Sequence, residues 1–156
     1  MQLIVAAVGQ RMPDWVQAAW QEYARRFGRG LSLELKEIPL GKRSKNADVD
    51  SLRQAEGEAL LAAVPPGFRL IALDEKGKQW STIELARQME NWMLEERGVC
   101  FLVGGPDGLA PRCRHGAHDV WSLSRLTLPH PLVRTVLAEQ LYRAWTVTQN
   151  HPYHRG

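Results

Sequence analysis

The residues best suited to chemistry lie in the last third of the chain. Gly104-Gly105-Pro106-Asp107-Gly108 lets the backbone approach a ligand closely, because glycine has no Cβ to clash. Its spacing is neither the G-x-G-x-x-G of a dinucleotide site nor a phosphate loop ending in Gly-Lys-Ser/Thr. Main-chain N–H and C=O groups there suit a small adenosine-like ligand better than a polyphosphate, although the same letters also suit a long connection with turn residues. In Leu123-Ser124-Arg125-Leu126-Thr127-Leu128-Pro129-His130-Pro131, two prolines bracket His130 and impose a stiff, extended entry into the next element. Leucines alternating with small hydroxylated residues can offer apolar contacts to a ring and main-chain donors to its nitrogens; an ordinary strand and turn reads the same way. The tail His151-Pro152-Tyr153-His154-Arg155 combines an aromatic ring, imidazoles and a guanidinium, groups that stack on bases and contact phosphate, in a position where chains often fray.

Other clusters carry less. Cys113, His115 and His118 make a C-x-H-x-x-H pattern, but structural zinc needs a fourth ligand and the other cysteine, Cys100, falls in a buried apolar run. No metal is expected. Neither a Gly-x-Ser-x-Gly elbow nor a His-Glu-x-x-His helix occurs, so nucleophilic and zinc-dependent hydrolysis have no candidates. Arg25, Arg26, Arg29, Lys36, Lys42, Arg43 and Lys45 read either as solvated surface or as a basic grip on phosphates whose binding weakens with salt. Glu56 interrupts an apolar helical stripe, which marks either a rim residue or a carboxylate paired in a buried contact.

The elements that must position these residues alternate in type. Leu3 to Val8, Phe68 to Leu73, Val99 to Val103 and Trp121 to Leu123 are apolar runs of strand length, and Leu31 to Leu35 alternates like an edge strand. Val99 to Val103, almost wholly apolar, is expected at the centre. Between them, Trp15, Val16, Ala19, Trp20, Tyr23 and Phe27 give one helix face, and Val49, Leu52, Ala59, Leu60 and Ala63 another, with Gly57 costing about 1 kcal/mol relative to alanine. A third helix covers Ile83 to Glu96 behind a Ser81 cap, and a short one Cys113 to Ala117. Pro131 opens a long last helix through Thr148 with Val133, Leu137, Leu141, Ala144 and Trp145 as its core face; the final six residues trail beyond it. Strands alternating with helices predict an α/β fold, a parallel sheet with helices on both faces. Ligands in such sheets lie beyond the carboxyl ends of the central strands. Here those ends are Leu73-Asp74, Gly104-Gly105 and Leu123-Ser124.

With 156 residues the chain fits one domain, and roughly 70% of its unfolded surface can be buried. A hydrophobic fraction of 44% and a charged fraction of 24% exclude a disordered or fibrous chain. Twenty Lys and Arg against 17 Asp and Glu give a net charge of +3, mildly basic and compatible with a nucleic-acid partner. Two cysteines make no disulfide framework, and no leader or membrane span is visible, so a cytoplasmic protein is expected.

Several of these segments resemble one family closely: Gly41-Lys42-Arg43 with Asn46-Ala47-Asp48, Gly104-Gly105-Pro106-Asp107-Gly108-Leu109, Ser122-Leu123-Ser124 with Leu126 through Arg134, Leu141-Tyr142-Arg143-Ala144-Trp145, and Asn150-His151-Pro152-Tyr153-His154. The chain is similar from Met1 to about Arg155 to the bacterial ribosomal RNA large subunit methyltransferase H family, the 23S rRNA pseudouridine-N3 methyltransferases. The resemblance implies one SPOUT domain over residues 1–156 with a C-terminal trefoil knot, S-adenosylmethionine as methyl donor, a homodimer, and a pseudouridine in a 23S rRNA stem-loop as substrate. It places cofactor contacts at Leu73, Gly104, Gly105, Leu123, Ser124, Arg125, Leu126, Thr127 and Leu128, at the strand ends already singled out. Asp107 stands where many relatives carry Glu, and Arg125 where a small residue is expected.

Methyl transfer from a sulfonium is an in-line displacement, so alignment and desolvation dominate. The imide N3 of a uracil-type ring must lose a proton to become a good nucleophile, which a general base or a stabilising cation assists. His130, Arg134, Tyr153, His154 and Arg155 are expected around the reacting base. His154 is the expected proton acceptor, with Arg155 and Arg134 stabilising charge or gripping phosphate. A chain without a separate RNA-binding domain needs a composite surface, so the tail of one protomer is expected near its partner's cofactor. The small net charge points to weak binding of naked RNA, and the expected substrate is the assembled ribosome. The competing expectation is a non-catalytic ribosome-binding factor that keeps the fold without the chemistry.

Overall fold

Leu3, Val5 and Ala7 are buried on one side of the sheet and Ile4, Ala6 and Val8 on the other. A continuous apolar run does this when both faces are covered, because successive side chains of a strand point oppositely. The computed structural model describes residues 1–155. Along it follow β1 (Gln2–Val8), α1 (Asp14–Ala24), β2 (Ser32–Ile38), α2 (Val49–Ala62), β3 (Arg69–Gln79), α3 (Thr82–Glu95), β4 (Gly98–Val103), α4 (Pro111–His115), β5 (Asp119–Ser122), α5 (His130–Thr148) and a 3-10 turn, Pro152–Arg155. The strands form one parallel sheet in the order β2-β1-β4-β3-β5, with Leu3 opposite both Leu33 and Val99 and Leu70 opposite Cys100. β4 is central and buried throughout. β2 is an edge strand, as its alternation predicted.

Helices α1, α3 and α5 cover one face and α2 and α4 the other. Leu137 and Leu141 of α5 are fully buried, so truncating either to alanine costs about 2–5 kcal/mol. Asp48 caps α2 by accepting from the N–H groups of Asp50 (3.1 Å) and Ser51 (3.3 Å), and the Ser81 hydroxyl caps α3 by accepting from Glu84 N–H (3.1 Å). Gly57 repays its helix-propensity cost: a Cβ there would lie 2.8 Å from that of Ala110, so the glycine lets α2 and α4 pack closely. Among the described residues no helix is long and apolar enough to cross a membrane.

The elements differ from expectation in places. Trp15 and Val49, assigned to buried faces, are 53% and 40% exposed, while Glu56 and Gly57 take the buried positions of α2. Here close backbone approach and an ion pair outrank the hydropathy stripe. α4 starts at Pro111 rather than Cys113, and α5 at His130 rather than Pro131, with extended Pro129 as its cap. β3 runs six residues past Leu73, and its register against β5 shifts between Leu73 and Lys78, both of which face Trp121. That extension is polar, DEKGKQ, and its backbone pairing leaves no hydropathy signal. Gly77 is needed there, since a Cβ would lie 2.7 Å from the Val120 backbone. The tail does not trail: residues 152–155 turn back onto α5. Gly156 lies outside the described residues.

Candidate active site

The carboxyl ends of β3, β4 and β5 open into one cleft of about 900 Å³, within the range of small-molecule sites. Leu73, Gly104, Gly105, Leu123, Ser124, Leu126, Thr127 and Leu128 all line it, and Arg125 does not; its side chain is exposed. Thus every residue expected as a cofactor contact lines the cleft except Arg125. A hollow of similar size, about 930 Å³, lies between α1 and β2. It reaches Arg11, Met12, Glu37 and Arg134 at the carboxyl ends of β1 and β2, and shares no lining residue with the cleft formed by the ends of β3, β4 and β5.

The glycine run is a tight turn. Gly105 C=O accepts from Gly108 N–H at 3.0 Å, Pro106 and Asp107 occupy the corner, and Gly108 has φ +75°. A Cβ on Gly104 would lie 2.6 Å from the Gly108 carbonyl carbon and 2.7 Å from Leu109 N, so only glycine fits. Opposite it, residues 122–128 are held by their own hydroxyls: Ser122 Oγ donates to Ser124 C=O and Ser124 Oγ accepts from Leu126 N–H, each at 2.9 Å. Thr127 Oγ1 donates to Glu75 (3.3 Å), tying this loop to the bulged part of β3.

Sequence reasoning missed that bulge. Asp74, Glu75 and Lys76 line the cleft, as do Arg114, His115 and Val133. Asp74 accepts from Lys76 N–H (2.8 Å) and from Arg114 (3.2 Å). The only available signal was position, just beyond a central strand. The lining fits S-adenosylmethionine: Leu73, Val103, Leu109 and Leu128 are apolar walls that would take a purine, and Glu75 is a carboxylate that would suit a cationic group, Asp74 being paired with Arg114.

His130 lies in the cleft at the first turn of α5, and Arg134 one turn on is 1% exposed. Arg134 donates to His130 Nε2, to Glu37 and to Gly9 C=O, each at 2.7 Å. His130 Nδ1 lies 3.2 Å from Gly104 C=O. Burial and then the Arg134 charge push the His130 pKa down. These residues therefore lock α5 to β1, β2 and the root of the glycine turn.

The tail residues lie elsewhere on the same chain. Tyr153 packs edge-on against Tyr142 at 4.7 Å, donates to Glu139 at 2.9 Å, and lies under Arg143 at 4.9 Å. Burial, followed by that carboxylate, raises its phenol pKa strongly. Glu139 is nine residues, roughly 14 Å of helix, from His130. His154 Nδ1 is enclosed without a partner among the described residues, and Arg155 is exposed. Within one chain, His130 lines the cleft, Arg134 is buried behind it, and none of Tyr153, His154 and Arg155 lines it.

The C-x-H-x-x-H residues diverge. Cys113 Sγ donates to Gly57 C=O, His118 Nδ1 accepts from Leu70 N–H at 2.9 Å, and His115 faces the cleft. Burial pushes the Cys100 thiol up to about 12 and raises that of Cys113, so neither is an activated nucleophile. Among the described residues no group of three or more His, Cys, Asp or Glu is placed to hold a metal ion.

A parallel sheet with a glycine-turned cleft at its central strand ends defines a ligand-binding α/β protein. The matching family model makes the class specific: it is that of a predicted SPOUT methyltransferase and covers residues 1–154, so this chain belongs to the SPOUT methyltransferase family. S-adenosylmethionine is the methyl donor such enzymes generally use. Among solved structures, a probable methylase family protein from Haemophilus influenzae Rd KW20 is similar at 12% identity and a TM-score of 0.55, over 97% of this chain and 69% of that one. A second, described as giving structural insights into the 2-OH methylation of C/U34 on tRNA, is 18% identical with a TM-score of 0.54, over 94% and 97% of the two chains. At these identities the likeness concerns the fold.

Proposed function

We propose that this chain is an S-adenosylmethionine-dependent methyltransferase acting on N3 of a pseudouridine in a 23S rRNA stem-loop, on the assembled ribosome in the cytoplasm. The observation that carries the reading is the convergence of Leu73, the glycine turn and the 123–128 loop on one cleft. The family match over residues 1–154 supports it, as does the RNA-methylation title of one structural neighbour. In this reading residues 1–156 are a single domain with a C-terminal knot, 151–156 is a functional tail, and the active unit is a homodimer.

When bound, S-adenosylmethionine supplies a methyl group activated by its sulfonium. Leu73, Leu123 and Leu128 exclude water, while the backbone around Gly104, Gly105 and 124–127 orients the ligand, Arg125 contributing through main chain only. His154 accepts the N3 proton, and Arg155 stabilises the anion that develops. Tyr153 holds the tail. His130 is a neutral donor to the glycine turn, and Arg134 acts through it. The tail works beside the partner's cleft, since it does not line the cleft of its own chain.

Calorimetry with S-adenosylmethionine, followed by mass spectrometry of 23S rRNA from a deletion strain, tests the reading. Binding with loss of one methylated pseudouridine is expected. Absence of binding favours the alternative, a ribosome-binding factor without chemistry, against which the intact glycine turn already argues. Mixed dimers of a tail-deleted protomer and one damaged in its glycine turn are expected to keep one working site.

A further inference from the structure

Arg43 belongs to the basic segment that reads as a grip for phosphates, yet its guanidinium is occupied inside the protein. It reaches both carboxylate oxygens of Glu56 on α2, Nη2 to Oε1 at 2.9 Å, and Nη1 also donates to Gly41 C=O at 2.9 Å. Its Nε and Nη2 donate to Asp107 Oδ2 at 3.1 and 2.9 Å. Glu56 is 6% exposed and accepts in addition from Gly41 N–H at 3.0 Å, so the guanidinium is anchored from the core side. Asp107 is the corner residue of the glycine turn, and its carbonyl lies 3.4 Å from Arg53 Nη1. The corner of the turn is thus held from outside by groups of α2 and the segment before it. The turn itself, Asp107 included, lines the cleft.

We propose that Arg43 is a positioning residue: bridging Glu56 to Asp107, it sets the glycine turn 105–108 in the shape that receives the cofactor. This rests on the reading of the cleft as the S-adenosylmethionine site. Only a planar, multiply donating guanidinium serves two carboxylates and a carbonyl at once, and a lysine ammonium lacks that fork.

The test measures S-adenosylmethionine affinity by calorimetry, with KM and kcat on ribosomes and a melting curve for each variant. Asp107→Ala leaves the Arg43–Glu56 pair intact, so it is expected to melt close to wild type while binding the cofactor about tenfold more weakly. The loss should appear in KM for the cofactor rather than in kcat. Asp107→Glu restores affinity. Arg43→Gln combined with Glu56→Gln avoids an orphaned buried carboxylate and should lose the same factor. Adding Asp107→Ala to that pair should then cost nothing further. Wild-type affinity in Asp107→Ala overturns the proposal. So does a paired Arg43/Glu56 variant that binds normally while Asp107→Ala does not, which would put the Asp107 carboxylate directly on the ligand. If the wild-type protein binds no S-adenosylmethionine, the cofactor reading itself falls, and this proposal with it.

Discussion

Arg134 donates from Nε to Nε2 of His130 across one turn of α5, at 2.7 Å, and that bond decides which imidazole nitrogen carries the proton. Arginine is only a donor, so Nε2 accepts and Nδ1 bears the hydrogen, directed at Gly104 C=O 3.2 Å away. The proline-bracketed histidine is therefore a neutral strut between the last helix and the glycine turn. The other donors of Arg134 reach Gly9 and Glu37, at the carboxyl ends of β1 and β2, so one buried side chain gathers three strand ends.

This tautomer makes the strut sensitive to acid. The folded-state pKa of His130 lies below the ordinary 6.5, because burial and the Arg134 charge disfavour the imidazolium. The unfolded chain therefore takes up the proton first. The contribution of His130 to stability is complete above about pH 6.5 and is lost as pH falls through the lower folded-state value. Protonated, Nε2 presents a hydrogen to the hydrogen on Arg134 Nε. Melting curves between about pH 7 and pH 5 should show a steeper fall for the wild type than for His130→Asn, which has no proton to gain. Parallel curves would remove the strut.

Arg134→Lys keeps the charge but not the fork. A single ammonium cannot serve Gly9, Glu37 and His130 together, and a buried acceptor left unpaired is costly. Chemical denaturation should show a loss of about 2–4 kcal/mol. Cofactor affinity should fall as well, since His130, which holds the Gly104 carbonyl, loses the bond that fixes its tautomer.

Gly104→Ala separates the cleft from the fold. The added methyl meets backbone atoms of Gly108 and Leu109, which cannot rotate aside as a side chain would. The turn must open, while the β4 core behind it is untouched. A folded protein, by circular dichroism, that binds S-adenosylmethionine at least about tenfold more weakly is the expected result. Unchanged affinity would separate the turn from the ligand.

The strands and the cleft were legible because both rest on composition. Val99 to Val103 could only be central, and Leu73, Gly104 and Leu123 were ends of apolar runs before they were walls of a site. What stayed hidden was pairing at a distance. Nothing local tells Glu56 that Arg43 will meet it and bridge it to Asp107, or that Arg134, charged and on a core face, will be buried because Gly9 and Glu37 accept from it. The β3 extension was hidden for a related reason: its stability lies in backbone bonds to β5, to which polar side chains are indifferent. Trp15 shows the reverse error, an apolar residue at helical spacing that the fold leaves outside.

With Arg43 committed internally, the basic segment retains Lys42 and Lys45 as exposed cations. Each phosphate they neutralise releases counterions, so their joint replacement by alanine should lower the salt slope of RNA or ribosome binding by about 1–2. Cofactor affinity in the free protein should be unaffected, as neither lysine lines the cleft. An unchanged slope would make them solvated surface only.

The tail offers the last test, because its ring and its hydroxyl contribute separately. The Tyr153 ring contacts Tyr142 and lies within 5.9 Å of the Arg26 guanidinium, whereas its hydroxyl donates to Glu139. Glu139 keeps its ion pair with Arg143 (2.7 Å) when that hydroxyl is removed, so Tyr153→Phe costs only about 1 kcal/mol of docking. Tyr153→Ala removes the ring, and little else then holds residues 152–155 on α5. Tail resonances in an NMR spectrum should stay dispersed in the Phe variant and collapse in the Ala variant, with the global melting temperature changing little in either. Methylation should follow the ring: retained in Tyr153→Phe and lost in Tyr153→Ala, with cofactor binding intact in both. Equal loss in the two variants would instead give the hydroxyl a direct part in the reaction, against the role of Tyr153 as an anchor.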